Sequence, residues 1–118
     1  MSLFGGQKVQ MYVVTKSLYE QQRDANALYH LKQRLSPTGE TNLYVAFKNP
    51  EPFLTETEMS KKDRDNAVKL AKSLVIPVEQ AEELILAKKL GCPLMLSQRQ
   101  IWLVAAAKKA GVATEVFK

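Results

Sequence analysis

The last third of the chain, residues 78–118, alternates helical and strand patterns with almost no connecting residues. Glutamates at its start and lysines before Gly91 mark the two ends of a helix, since carboxylates favour a helix N-terminus and glycine a left-handed C-cap. An apolar run of strand length follows at 92–96. Ser97 and Gln100 then form the capping-box pattern that opens a helix over 98–110, which Gly111 ends before a short strand. This alternation is typical of a parallel sheet with crossover helices.

The residues before this block repeat the same alternation. Strand patterns at 8–15 and 41–48 flank a helix that a capping box at Ser17 opens and a leucine stripe extends to Leu35. Residues 49–59 lose their periodicity and are predicted to be a loop, and another capped helix begins after it. Right-handed crossovers then give an α/β three-layer sandwich with a small, mostly parallel sheet of four strands, in the order β-α-β-α-α-β-α-β.

Composition indicates one domain. The chain has 118 residues, of which 46% are hydrophobic, so residues 8–118 can bury a core, and residues 1–7 are predicted to be a flexible leader. The lone Cys92 fits a reducing compartment, and no apolar run has the length of a membrane span, so we expect a cytoplasmic protein. The net charge of +5 is spread along the chain and forms no polybasic block.

Two short loops are the candidate functional site. Ligands of open parallel sheets bind beyond the carboxyl ends of the strands, where the strand order reverses. Lys16 and Ser17 follow the first predicted strand, and Ser97 and Arg99 follow the third, each pair at a helix N-terminus suited to an anion. If those strands are neighbours, the four residues converge on a crevice that fits a phosphate or a nucleic-acid backbone. The alternative is that both serines only cap helices and both cations are solvated.

The polar face of the first helix extends this candidate surface. Tyr19 with Arg23, and His30 with Gln33, give it the mixture of rings and polar groups that nucleic-acid contacts use. No catalytic residue and no cofactor are predicted, because His30 has no evident orienting partner and no glycine-rich phosphate cradle is present. One histidine and one cysteine build no zinc site, and Cys92 is expected to be a small buried hydrophobe.

One stretch resembles a known family. Residues 82–116 read EELILAKKLGCPLMLSQRQIWLVAAAKKAGVATEV, an acidic helix followed by an apolar strand, a helix and a glycine turn. This third of the chain resembles the C-terminal half of PIN-type nucleases, in which the strand has the form PLLTDD and the next helix leads to LGV. The family's catalytic aspartates fall where this chain has Ser97 and Gln98, and where its first strand ends in Thr15. Both departures remove metal ligands, so no catalytic residue is carried over.

Three functions follow from these patterns. The first, which we favour, is a non-enzymatic module that binds a polyanion, most simply nucleic acid, and has no membrane partner. Its predicted contact residues are Lys16, Ser17, Arg23, Ser97 and Arg99. The second is a protein-interaction or homodimerising domain that uses the nearly all-apolar helix 98–110, with Trp102 as its anchor. The third is an enzyme that acts on a phosphorylated small molecule in the same crevice.

Overall fold

Strands and helices alternate along the described part of the chain, residues 10–37 and 41–118 of a computed structural model. The predicted leader at 1–7 lies outside these residues. The strands are β1 (Met11–Val14), β2 (Asn42–Val45), β3 (Thr55–Glu56), β4 (Leu94–Leu96) and β5 (Thr114–Val116). The helices are α1 (Lys16–Asp24), α2 (Leu28–Leu35), α3 (Lys61–Leu74), α4 (Val78–Leu90) and α5 (Leu103–Ala110). None of these helices is long and apolar enough to cross a membrane.

The strands form one parallel sheet in the order β3-β2-β1-β4-β5. This confirms the predicted α/β class and parallel pairing, with five strands instead of four. The additional strand β3 lies within residues 49–59, the predicted loop, where Thr55 and Glu56 pair with Tyr44 and Val45 of β2. A strand of two residues is too short to produce a recognisable alternation of apolar and polar positions, so the sequence pattern does not reveal it.

Helices cover both faces of the sheet. Successive residues of a strand point to opposite faces, so neighbouring residues of one strand pack against different helices. Val13 of β1 packs in an apolar cluster with Leu84 of α4 on one face. The next residue, Val14, packs with Leu18 of α1 on the other face. α3 packs against α4, and small residues line the contact between the two helices, namely Ala67, Ala71 and Ala81. The result is a layered sheet with a core on each side.

The predicted helix caps are largely formed. Ser60 and Ser97 each accept a hydrogen bond from the backbone three residues later and complete a reciprocal capping box. Gly91 and Gly111 end α4 and α5 with positive φ angles of 68° and 79°. Glycine is favoured at these two positions because a left-handed backbone crowds the Cβ of other residues.

The predicted single helix over residues 17–35 is in fact two helices, α1 and α2. Thr15 caps α1 in place of Ser17, because its side-chain oxygen accepts from the backbone N–H of Leu18. Between the helices, Asn26 adopts a positive φ of 56°. Asparagine visits this left-handed region more readily than other residues with a Cβ, so it permits a turn where leucine spacing alone predicts continuity.

The predicted helix over residues 98–110 begins as a 3-10 turn at Gln98–Gln100 and becomes α-helical only at Leu103. Its apolar sequence predicts that the segment is deeply buried or has a partner. Leu103 and Ala107 are fully buried, whereas Ile101 and Trp102 remain 60% and 51% exposed. The segment is therefore buried on one side only and presents large apolar side chains to solvent.

The turn at Asn26 generates a stability prediction. Replacing Asn26 with Ala should lower the free energy of unfolding by about 1 kcal/mol, because the left-handed backbone disfavours a residue whose Cβ lacks a compensating polar group. Asn26→Gly is the matched control and should cost little or nothing. Urea unfolding of both variants measures the difference, and equal stability of the Ala and Gly variants would show that the left-handed turn is absent.

Candidate functional site

The boundary between β1 and β4 is the point where the strand order of the sheet reverses. The two strands are hydrogen-bonded neighbours, with Val13 opposite Leu94 and Val14 opposite Met95. The chain leaves β1 towards α1 and β2, and leaves β4 towards α5 and β5 on the opposite side. Such a reversal opens a crevice at the carboxyl edge of a parallel sheet. The adjacency that the crevice requires is therefore present.

The loops after β1 and β4 are joined by side-chain hydrogen bonds. The Oγ atoms of Ser17 and Ser97 lie 3.1 Å apart. The Thr15 hydroxyl donates to Oε1 of Gln100 at 2.6 Å, and the same oxygen accepts from the backbone N–H of Ser97 at 3.1 Å. Thr15, Ser97 and Gln100 are all buried, so these bonds are shielded from water. The two loops thus form one connected unit.

A buried carboxyl group occupies the N-terminus of α1. Oε2 of Glu83, on α4, accepts the backbone N–H of Lys16 at 2.7 Å, and only 3% of Glu83 is exposed. Burial raises the pKa of Glu83 to about 8, against the lowering effect of this hydrogen bond, and nearby Glu79 raises it further. Glu83 is therefore mainly protonated at neutral pH. Glu83 thus occupies the backbone N–H of Lys16, a donor that an external anion would otherwise bind.

A small cleft of about 110 Å³ opens beside this contact. Its walls are Lys16, Ala46, Phe47, Glu79, Glu82 and Glu83. Nζ of Lys16 lies 4.0 Å from a carboxylate oxygen of Glu79, an exposed pairing of modest strength. The cleft contains one basic side chain and three carboxyl groups. With Glu83 mainly neutral, the charges of Lys16, Glu79 and Glu82 remain, one positive and two negative, and they oppose the entry of a polyanion.

The other predicted site residues lie apart from this cleft. Arg99 is exposed on the 3-10 turn, beside the loop that carries Ser97. Arg23 lies in the last turn of α1, where its guanidinium pairs with Asp24 at 3.1 Å and stacks over the Tyr19 ring. The structure thus brings Lys16, Ser17 and Ser97 together, keeps Arg99 at the margin, and leaves Arg23 at the far end of its helix.

His30 and Cys92 belong to opposite sides of the sheet. His30 is exposed on α2 and contacts the ring of Phe117 edge-on, with 5.9 Å between ring centroids. Cys92 is buried in the core beneath α4 and α5, and burial raises the pKa of its thiol. The two therefore form no thiol–imidazole pair. Within residues 10–37 and 41–118, no group of three or more His, Cys, Asp or Glu side chains could hold a metal ion.

Sequence reasoning misses the structural roles of Glu83, Thr15 and Gln100. The pattern of the helix predicts Glu83 only as one of three acids that complement the helix dipole. Leu86 and Ala87, three and four residues later, share its face of the helix and are buried, and this apolar spacing is the available signal that Glu83 faces inward. Gln100 is correctly predicted in a capping box, but its contact with Thr15 joins residues 85 positions apart, and no local pattern reports such a contact.

Comparison of the chain with protein-family models, with curated proteins and with solved structures finds no match.

The buried carboxyl of Glu83 predicts a pH dependence of stability. Its pKa of about 8 in the folded protein lies above the ordinary value of 4.5, so folding retains a proton that the unfolded chain releases. The stabilisation that this proton gives is complete below about pH 4.5 and is lost as the pH rises to about 8, at no more than ~1.4 kcal/mol per pH unit. Urea unfolding across this range should show the decline.

Glu83→Gln should abolish this contribution, because an amide keeps the oxygen acceptor for Lys16 and has no proton to lose. Glu82→Gln, a change of the same chemistry at a half-buried neighbour, is the control and should retain the decline. Parallel stability profiles for the wild type and Glu83→Gln would contradict a neutral buried carboxyl.

Proposed function

We propose that this chain is a non-enzymatic module that binds a polyanion, most simply nucleic acid, through the outer surface of residues 99–109. We call this the Trp102 surface. It comprises Arg99, Ile101, Trp102, Lys108 and Lys109, all of them exposed. The observation that carries the proposal is a half-exposed tryptophan in a segment, residues 98–110, with three basic residues and no acidic one.

The chemistry of the Trp102 surface matches that of nucleic-acid contacts. Exposed aromatic rings stack on bases, and neighbouring cations attract the phosphate backbone. Lys108 and Lys109 lie in the last turn of α5, where the helix dipole also favours them, so their position has a structural cause as well. The dipole of α5 does not explain the position of Arg99, since Arg99 lies in the 3-10 turn before that helix.

Arg99 is the one predicted contact residue that belongs to the Trp102 surface. We do not propose the crevice between the loops after β1 and β4 as the main contact region. In the cleft, Glu83 already uses the N–H of Lys16, and Glu79 and Glu82 would repel phosphates. Ser17 and Ser97 are engaged with each other. Arg23 is partly neutralised by Asp24. The Trp102 surface lacks acidic side chains of its own, and this favours it as the contact region.

A fluorescence titration of the single tryptophan tests this proposal. Single-stranded and duplex DNA of roughly 15 nucleotides should each be added at about 50 mM and about 200 mM salt. Stacking on Trp102 should quench its emission, and the affinity should fall steeply with salt because phosphate binding releases counterions. Unchanged emission and no salt-dependent binding would refute the proposal.

Single cation variants locate the binding surface. Arg99→Ala should reduce affinity and lower the slope of log K against log salt by about one for each phosphate that Arg99 neutralises. Lys32→Ala, on α2 at the opposite face of the sheet, removes the same charge and should leave affinity unchanged. If Lys16→Ala weakens binding more than Arg99→Ala does, the ligand occupies the crevice and the Trp102 surface is the wrong assignment.

Self-association is the second candidate function. Ile101, Trp102 and Val104 are each more than a third exposed and adjacent along one segment, an apolar surface of the kind that protein interfaces bury. Sedimentation equilibrium distinguishes the two candidates. A dimer that Trp102→Ala dissociates without unfolding would favour this second function, and a monomer at every concentration would exclude it.

A further inference from the structure

The turn between α3 and α4 contains a strained and exposed valine. Val75 ends α3 in the left-handed conformation, with φ 57° and ψ 53°, and is 88% exposed. Left-handed backbone is unfavourable for a β-branched residue, and α4 and α5 both end in glycine at the equivalent position. No burial within the described residues compensates for this strain. Backbone outliers of this kind cluster at functional sites, so the Val75 side chain is a candidate contact for a partner.

Val75 belongs to an apolar groove along α3 and the start of α4. Its walls are Val68, Ala71, Lys72, Val75, Ile76, Pro77 and Val78, around an open volume of about 510 Å³. We call this groove the Val75 patch. Val68 and Val78 are 40% and 43% exposed. Val68 and Val75 lie two helical turns apart on one face of α3, with Lys72 between them. A second helix packed along this face would contact residues at this spacing.

The solvent face of α3 is basic. Its exposed cations outnumber its acids by five to two, and they are Lys61, Lys62, Arg64, Lys69 and Lys72. One of the two acids, Asp63, is engaged internally by the Ser60 backbone and by Lys89, whose Nζ lies 3.0 Å away. Lys72 lines the Val75 patch itself, Lys69 lies one turn earlier, and the other three cations lie at the start of α3. An occupant that extends from the patch along α3 therefore meets apolar side chains flanked by positive charge. Complementarity requires apolar groups flanked by negative charge.

We propose that the Val75 patch binds an acidic amphipathic helix of another protein. Such a helix places apolar residues at i, i+3, i+4 and i+7 in a groove, and its glutamates or aspartates then face the cations of the groove's rim. Val75 enters the contact as a fixed apolar projection. This proposal rests on elements other than those of the Trp102 surface and holds whether or not the chain binds nucleic acid.

The test uses a synthetic helical peptide of roughly 16 residues with leucine at the i, i+3, i+4 and i+7 positions and glutamate elsewhere. Fluorescence anisotropy of the labelled peptide, titrated with the full chain, should give a dissociation constant on the order of 10 μM, typical of a small interface. The control peptide keeps the leucines and replaces each glutamate with lysine. It should bind at least about tenfold more weakly because the cations of α3 repel it.

Variants of the chain distinguish a weakened interface from a damaged fold. Val75→Gly should weaken peptide binding at least about tenfold and leave the thermal midpoint unchanged or higher, since glycine removes the left-handed strain. Lys72→Glu should also weaken binding. Lys32→Glu makes the same charge change on α2, at the opposite face of the sheet, and should leave binding intact.

Four outcomes would overturn the proposal. The first is failure of the glutamate peptide to bind at concentrations up to about 1 mM, and the second is equal binding of the glutamate and lysine peptides. The third is a dimer of the chain alone that Val75→Gly dissociates, which would make a second copy the occupant. The fourth is binding to vesicles of anionic lipid that Val75→Gly abolishes, which would make the patch a membrane contact.

Discussion

The contact between the buried Glu83 carboxyl and the backbone of Lys16 is the interaction on which the carboxyl edge of this sheet depends. It connects α4 to the first residue of α1 across the point where the strand order reverses. The hydrogen bonds of Gln100 connect the loops after β1 and β4 in the same region. A buried carboxylate is costly unless it is well paired, and burial accordingly raises the pKa of Glu83 to about 8, which favours its neutral form at pH 7.

This internal pairing changes where function is expected in the fold. The crevice of an open parallel sheet is ordinarily its binding site, because backbone N–H groups there are free to meet a ligand. Here Glu83 uses one of those groups, and the surrounding glutamates make the cleft unfavourable for anions. Two groups of exposed apolar and basic residues lie instead on helices, at the Trp102 surface and at the Val75 patch. We therefore propose that binding occurs at the outer layer.

Much of the fold is predictable because its signals are local. The caps at Ser60 and Ser97 and the terminal glycines follow from short patterns, and the parallel pairing follows from the alternation of strands and helices. The adjacency of β1 and β4 is a condition that the sequence leaves open and that the structure supplies. The break at Asn26 escapes such patterns because the leucine spacing continues across it. The two-residue strand β3 escapes them because it is too short to produce an alternation of apolar and polar positions. The inward orientation of Glu83 depends on packing between distant elements. Its place among three glutamates in the sequence therefore does not predict the hydrogen bond with Lys16.

Amide hydrogen exchange at Lys16, followed by NMR, tests the central claim that Glu83 closes this edge of the sheet. The account predicts that the Lys16 amide exchanges as slowly as the amides of β1 and β4, and that Glu83→Ala accelerates its exchange while the strand amides stay protected. An amide of Lys16 that exchanges in the wild-type protein as fast as those of exposed turns would contradict the account, because it would leave the α1 terminus open to a ligand.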